Sequence, residues 1–374
     1  MKTLIKYEFL KILRKKSTLI VMAASLLITA FFFGLPVLQF QTYNQDGVLQ
    51  GLAGIQYEKE QYTEISVPLT NEYVTKTIRE VQELFEDPEN VGYDGNEQFL
   101  IEDAYWNGIA PRESLLDLIA GNYADPNVSA GYSALTDLDV SDGTDFYQAR
   151  QDKIEKILND SSKELSEAEK DYWRNLNSKV EEPFQYGYYE GWEVIISAFE
   201  LLMFAVLAVC IVIAPVFSGE YQAGTDAVLL SGKYGKTKLT TAKILAALFF
   251  GVLAFTLHVL LAFGLPLAAF GTDGWNLPLQ INGTTVPYPL TFLEGTLINL
   301  GVIYLVLLAM IGVTLFLSAR MKSPYLVPNF GSYLSYQFGP VVLDAFAVRT
   351  VLYAVLALIL LPLAGRGFRR HQAA

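Results

Sequence analysis

Three ionisable side chains stand inside long apolar runs: Glu200, His258 and Glu294. A charge in hydrocarbon is costly, so such residues mark either a transport pathway or a paired structural contact. At 1.5 Å per residue, Glu200 falls roughly 9 Å below one edge of its run, and His258 lies about 21 Å from the opposite edge of the next. The two depths are similar, and Glu294 lies near the end of a third run. All three are candidates for a polar layer lining a translocation pathway, where they would meet a cationic substrate. A buried pair of His258 with Glu200 or Glu294, or snorkelling to the interface, is the competing reading.

Residues 217–243, FSGEYQAGTDAVLLSGKYGKTKLTTAK, are short, polar and basic toward their end, with an apolar run on each side. Gly224–Thr225 and Gly232 punctuate a helix-sized piece, 226–231, with apolar Val228, Leu229 and Leu230 on a nominal surface. Exposed apolar residues in a loop point to a partner. The alternative is an ordinary loop whose lysines only fix topology. SGKYGKTK faintly resembles a phosphate-binding loop, but the glycine required before Lys236 or Lys233 is replaced by Leu230 or Ala227. No H-E-x-x-H or G-x-S-x-G is present, so neither nucleotide hydrolysis nor other enzyme chemistry is expected. The lone Cys210 excludes an internal disulfide, and His258 and His371 are too far apart in sequence to suggest a metal cluster.

The elements that hold these residues follow from composition. The chain has 374 residues, 52% of them hydrophobic, and a mean hydropathy of +0.29. The apolar residues clump into runs of about 20 or more, the length that crosses roughly 30 Å of hydrocarbon. The formal charge of −12 hides a split between −21 over residues 41–193 and +9 over the remainder. Such asymmetry points to two compartments. It argues against nucleic acid as a partner, since the one sizeable polar region repels phosphates.

In order, residues 1–16 predict a basic amphipathic helix suited to an anionic inner leaflet, so membrane lipids are an expected partner. The span at 17–40 is too long for a signal-peptide core. Residues 41–193 form an acidic, mainly helical domain. Helices are expected over 70–86, over 112–120 between Pro111 and Gly121, and over 145–158. A fourth is expected from the Ser166–Glu169 capping box toward Val180. Segments 90–96 and 132–143 read as loops. Tyr186, Tyr188, Tyr189 and Trp192 read as an interfacial belt above the next span, and the domain's other aromatics as its own core.

Spans are then expected at 194–217, 244–270, 292–317, 325–342 and 350–364. The coupling loop is 218–243, a basic cytosolic tail is 365–374, and 244–364 holds helices three to six. Positive charge checks the topology. Segments assigned to the cytosol hold six, four, two and three Lys+Arg, whereas the short outer segments hold only Arg349. The fold class is thus an all-α polytopic membrane protein. It has six transmembrane helices, both termini cytoplasmic, and the acidic domain outside between helices one and two. A re-entrant hairpin plus one span over 325–364 would put the tail on the wrong side.

The pattern Glu220-x-x-x-Gly224-Thr225, then Leu229-Leu230-Ser231 and Lys243, lies between spans two and three. With the N-terminal helix, the insert and the closing GRGFRR, it resembles the membrane subunit of ABC exporters of the type-two permease class. The insert segments DFYQARQDKIEKIL and ELSEAEKDYWRNL are similar to those of Gram-positive permeases linked with peptide or drug export. The resemblance implies a bacterial plasma-membrane permease exporting an amphipathic substrate such as an antimicrobial peptide, drug or lipid. It implies a coupling helix seated in a separate ATP-binding subunit that holds the ATP and Mg, with no cofactor in this chain. The contact residues would be Glu220, Gly224, Thr225, Val228, Leu229, Leu230, Ser231 and Lys233, with the N-terminal helix as a second touch point. Six spans cannot readily enclose a pathway, so a second permease copy or paralogue is expected. The rival function is a membrane receptor or adhesion protein whose outer domain binds a ligand without transport.

Overall fold

The computed structural model describes residues 1–63, 65–95, 97–140, 145–321 and 345–370. The chain is mostly helical and is a multi-pass membrane protein. Among the described residues, five helical segments are long and apolar enough to cross a membrane: Lys16–Gln39, Phe199–Gln222, Gly235–Phe270, Phe292–Ser318 and Val348–Arg370. The irregular span expected at 325–342, the turn residue Asp344, Lys322 and His371 lie outside the described residues.

Helix α1 (Lys2–Leu13) leads into α2 (Lys16–Gln39). The buried face of α2 is Thr18, Ser25, Thr29 and Phe33, while Leu19, Ile20, Leu27, Phe31 and Leu38 are exposed. Small and polar residues packed inward with apolar ones outward is the pattern of a helix facing lipid. Two hairpins follow, β1 (Gln41–Asn44) with β2 (Gly47–Gln50) and, later, β3 (Val91–Asp94) with β4 (Glu97–Leu100). The first strand of the second hairpin lies within the segment 90–96 expected to be a loop; its strands are four residues long and paired antiparallel.

The acidic domain is built from α3 (Gly51–Tyr62), α4 (Asn71–Glu86), α5 (Glu102–Gly108), α6 (Glu113–Tyr123), α7 (Phe146–Leu158) and α8 (Glu167–Asn177). Thr70, Asp145 and Ser166 cap α4, α7 and α8 through their side chains, and Ser166 and Glu169 form the expected capping box. Helix α6 runs past Gly121, because its C-terminal residues Ala120 and Asn122 are buried in the core and hold the turn. Segment 132–137 is a 3-10 helix rather than open loop. The domain's two ends zip together, with Leu69 N–H donating to Phe184 O (2.8 Å) and Tyr186 N–H to Val67 O (2.8 Å).

The remaining elements are α9 (Glu190–Ser197), α10 (Met203–Ile213), α11 (Pro215–Gln222), α12 (Asp226–Ser231), α13 (Thr240–Phe270), α14 (Phe292–Ser318) and α15 (Ala345–Arg370). Span two is broken rather than continuous. A 3-10 turn at Phe199–Leu202 precedes α10, and Pro215 starts a new helix. Helices α11 and α13 extend into the segment expected to be loop, leaving 223–239 between them. Helix α15 continues through Arg370, so the GRGFRR sequence is helical and not a free tail. Arg349 lies inside α15 rather than in a turn.

The acidic domain sits on the 271–291 segment between α13 and α14. Buried Arg150 of α7 donates to Thr284 O (2.6 Å) and to Asn177 Oδ1 (2.5 Å). Tyr186, Tyr188, Tyr189 and Trp192 are buried here, which corrects the interfacial-belt expectation. Tyr186 stacks on Tyr62, Tyr189 stacks on Phe292, and Trp192 Nε1 donates to Thr272 O. The rings join domain to bundle instead of facing lipid.

Three half-buried carboxylates share this junction: Glu58 on α3, and Glu190 and Glu193 on α9. Burial, then the Glu193 charge, pushes Glu58 up to about 7. Burial, then Glu193 and Glu58, pushes Glu190 up to about 8. Nearby Lys59 is paired with Asp273. Between the ordinary carboxylate value of 4.5 and about 8, the folded junction holds more protons than the unfolded chain. Stability is therefore fully present below that window and lost as pH rises through it. Hydrogen exchange of α9 amides should quicken, relative to the intrinsic rate, from pH 5 to pH 8, and Glu190→Gln should flatten the profile. A corrected profile already flat in the wild type would contradict the assignment.

Candidate functional site

Helix α11 ends in a turn that explains the Glu220-to-Thr225 spacing. Gly224 adopts φ +64°, a left-handed conformation that glycine enters without a Cβ clash. Thr225 N–H donates to Glu220 O (3.0 Å) and Gly224 N–H to Tyr221 O (3.3 Å), the two bonds of a Schellman cap. The turn folds the Thr225 hydroxyl back onto the helix, where it donates to Glu220 Oε2 (2.6 Å).

The other carboxylate oxygen of Glu220 takes two ammonium groups, Lys11 of α1 at 2.5 Å and Lys243 of α13 at 2.7 Å. Lys243 also meets Glu8 of α1 at 2.9 Å. Glu220 and Lys243 are 6% and 1% exposed. Taking such charges out of water costs several kcal/mol each, repaid only when every partner is in place. The cluster therefore specifies one arrangement of α1, α11 and α13.

Two further helices grip α11. Pro215 interrupts the helix, and the first-turn amides of α11 need acceptors. Ser318 Oγ of α14 accepts from Phe217 N–H and Ser218 N–H (both 3.1 Å) and donates to Ala214 O (2.5 Å). Tyr221 Oη donates to Ala319 O (3.0 Å). Phe368 of α15 packs on Phe217 with ring centroids 4.6 Å apart.

From this node the chain leads into α12, which occupies the helix-sized piece between Gly224–Thr225 and Gly232. Val228 is 74% exposed and Leu229 half-buried, but Leu230 is buried, so it anchors α12 rather than offering a contact. Ser231 Oγ donates to Val228 O within the helix, and Lys233 lies over the Tyr234 ring. A Cβ on Gly235 would meet Leu229 O at 1.8 Å. This glycine thus lets the start of the next helix cross the α12 backbone. A π-turn over Gly235–Leu239 then feeds α13.

The three expected pathway residues do not come together. His258 is fully buried, with Nδ1 2.8 Å from Ala254 O and Nε2 2.9 Å from Ser25 Oγ. A carbonyl can only accept, so Nδ1 carries a proton, and the Nε2 contact with Ser25 Oγ, whose hydroxyl also reaches Met22 O (3.1 Å), joins α2 to α13. Glu294 is exposed and completes a capping box with Thr291 at the head of α14. Glu200 is exposed in the 3-10 turn. The expected pairs of His258 with Glu200 or Glu294 are replaced by these local contacts. Among the described residues no group of three His, Cys, Asp or Glu is placed to hold a metal.

Reading the sequence missed Glu8, Lys11, Ser318 and Phe368 as parts of the site. Their partners lie 98 or more residues away, and only a charge match between α1 and Glu220 hinted at them. No family model, curated protein or solved structure matches this chain.

The cluster can be tested by a double-mutant cycle. Glu220→Gln and Lys243→Met should each cost about 2–3 kcal/mol, less than a fully orphaned buried charge because Glu8 or Lys11 remains. The coupling read from unfolding in detergent should be about 2 kcal/mol. Strict additivity would show that the pair is not one unit.

Proposed function

We propose that this chain is the membrane subunit of an ATP-driven ABC exporter, with hydrolysis performed by a separate ATP-binding subunit. The observation that carries this reading is α12. It is a short helix with an exposed apolar side chain, held at the end of α11 by a node that touches α1, α13, α14 and α15. A loop needed only for topology requires neither the exposed valine nor the wiring beneath it. Six spans, a cytosolic position for the basic end and an extracellular position for the acidic domain belong to the same proposal, supported by the charge asymmetry. A second permease copy or paralogue completes the pathway.

In this mechanism the partner subunit grips Val228 and Leu229 and moves on nucleotide binding. Helix α12 transmits that displacement to α11 through the Schellman turn. The Glu220 cluster converts it into a joint movement of α1 and α13, and the Pro215 break lets α11 tilt against α10. An amphipathic substrate, such as a peptide, drug or lipid, is then re-exposed from the cytosolic to the outer side. The interior contact of His258 with Ser25 serves to hold α2 on α13.

Val228→Asp with Leu229→Asp should abolish co-purification of the ATP-binding subunit and its stimulation, while leaving the melting temperature within a few degrees. Leu230→Asp should instead destabilise the segment itself, by about 2–4 kcal/mol for charge placed in a buried site. Undiminished co-purification by the Val228/Leu229 variant would sink the coupling assignment.

A further inference from the structure

Where α1, α11 and the start of α13 meet, they enclose a cavity of 290 Å³. Lys11, Lys15, Lys243, Glu8 and Glu220 line its polar side, and Pro215 lies on its apolar side. Three ammonium groups face two carboxylates. Both carboxylates are already engaged, Glu8 by Lys243 and Glu220 by Lys11 and Lys243. Lys15 is half-buried and makes no side-chain hydrogen bond or ion pair with any described residue. Burial, then the Lys11 charge, lowers its pKa from the ordinary lysine value. An anion beside it would relieve both penalties.

The cavity's depth narrows the choice of anion. Lys15 is the residue before α2, Glu220 lies two residues from the end of α11, and Lys243 is the fourth residue of α13. All three mark the same edge of the hydrocarbon layer, the level of lipid phosphates. The first-turn amides of α2 have no side-chain cap, so a 24-residue helix begins beside Lys15 with its donors open. Just beyond, Leu19 and Ile20 are exposed and offer an apolar track for an acyl chain. Basic pockets between spans at this depth suit phosphate headgroups.

We propose that this cavity binds the phosphate ester of an anionic lipid headgroup, with Lys15 as its cation. The bound phosphate neutralises the surplus positive charge beneath α12 and pins α1 against α11 and α13. The outer groove of α1, lined by Lys2, Lys6 and Arg14, shares only Lys11 with this cavity and serves general attraction to an anionic surface. It does not depend on the transport proposal.

Full-length protein is titrated with phosphatidylglycerol against a phosphatidylcholine background and read by native mass spectrometry. Wild type should retain one phosphatidylglycerol per chain. Lys15→Gln should weaken that affinity about ten-fold, whereas Lys6→Gln should change it less than about two-fold and Lys15→Arg should preserve it. Equal weakening by Lys15→Gln and Lys6→Gln would overturn the proposal, as would an unchanged affinity in Lys15→Gln. Glycerol phosphate and inorganic phosphate form a second arm. Lys15-dependent protection by them at matching concentration supports the phosphate site while assigning it to a soluble ester. A headgroup photocrosslinker on wild-type protein needs no variant to fold. Labelling around residues 11–17 is expected, and labelling confined elsewhere overturns the site.

Discussion

Glu220 carries its charge at the edge of the hydrocarbon layer, almost sealed from solvent, and three side chains keep it there. Lys11, Lys243 and Thr225 approach its two oxygens from α1, α13 and the turn that follows α11. Removing water from so many ionic groups is not in itself stabilising, because desolvation and attraction nearly cancel. What the arrangement supplies is selectivity. Only one placement of the three helices gives each charge its partners, and any slip strands a charge in a medium that cannot solvate it. Position, rather than net binding energy, is what this cluster secures.

The rest of the fold transmits that fixed position. Helix α13 has 31 residues and is about 46 Å long at 1.5 Å per residue. Lys243 lies near one end, and the other end is Phe270, where a Cβ on Gly191 would meet Gly271 O at 2.8 Å. Helix α9 therefore lies directly against the far end of the rod, beside the rings that seat the acidic domain. One continuous helix connects the charge cluster to the domain junction. Helix α11 is the opposite kind of element, short and bounded by Pro215 and Gly224, with its loose amides satisfied by a serine from α14. A long continuous helix and a jointed segment thus meet at one carboxylate.

Local signals were legible in the sequence, and distant ones were not. The starts of α4, α7 and α8 follow from Thr70, Asp145 and Ser166 because a cap is decided within three or four residues. The position of α12 follows from its flanking glycines for the same reason. Thr291-x-x-Glu294 is the same pattern as Ser166-x-x-Glu169, yet the apolar run after it drew Glu294 into a supposed pathway. Tyr186, Tyr188, Tyr189 and Trp192 suit either a lipid interface or a core, and the neighbours that decide it come from α3 and the segment 271–291. Arg150 lies in a helix that the sequence predicts, but its burial depends on Thr284, 134 residues away, which accepts its hydrogen bond. Lys11 and Glu220, separated by 209 residues, are the extreme case.

The central claim is that α1 and the α11–α12 segment move as one body because of this cluster. Spin labels at Tyr7→Cys on α1 and Ala227→Cys on α12, with Cys210 replaced by Ala, allow the distance between them to be read by pulsed electron resonance. A single narrow distribution is predicted in lipid nanodiscs, and Lys243→Met should broaden it. A broad distribution with the cluster intact, or a narrow one that Lys243→Met leaves unchanged, would contradict the account.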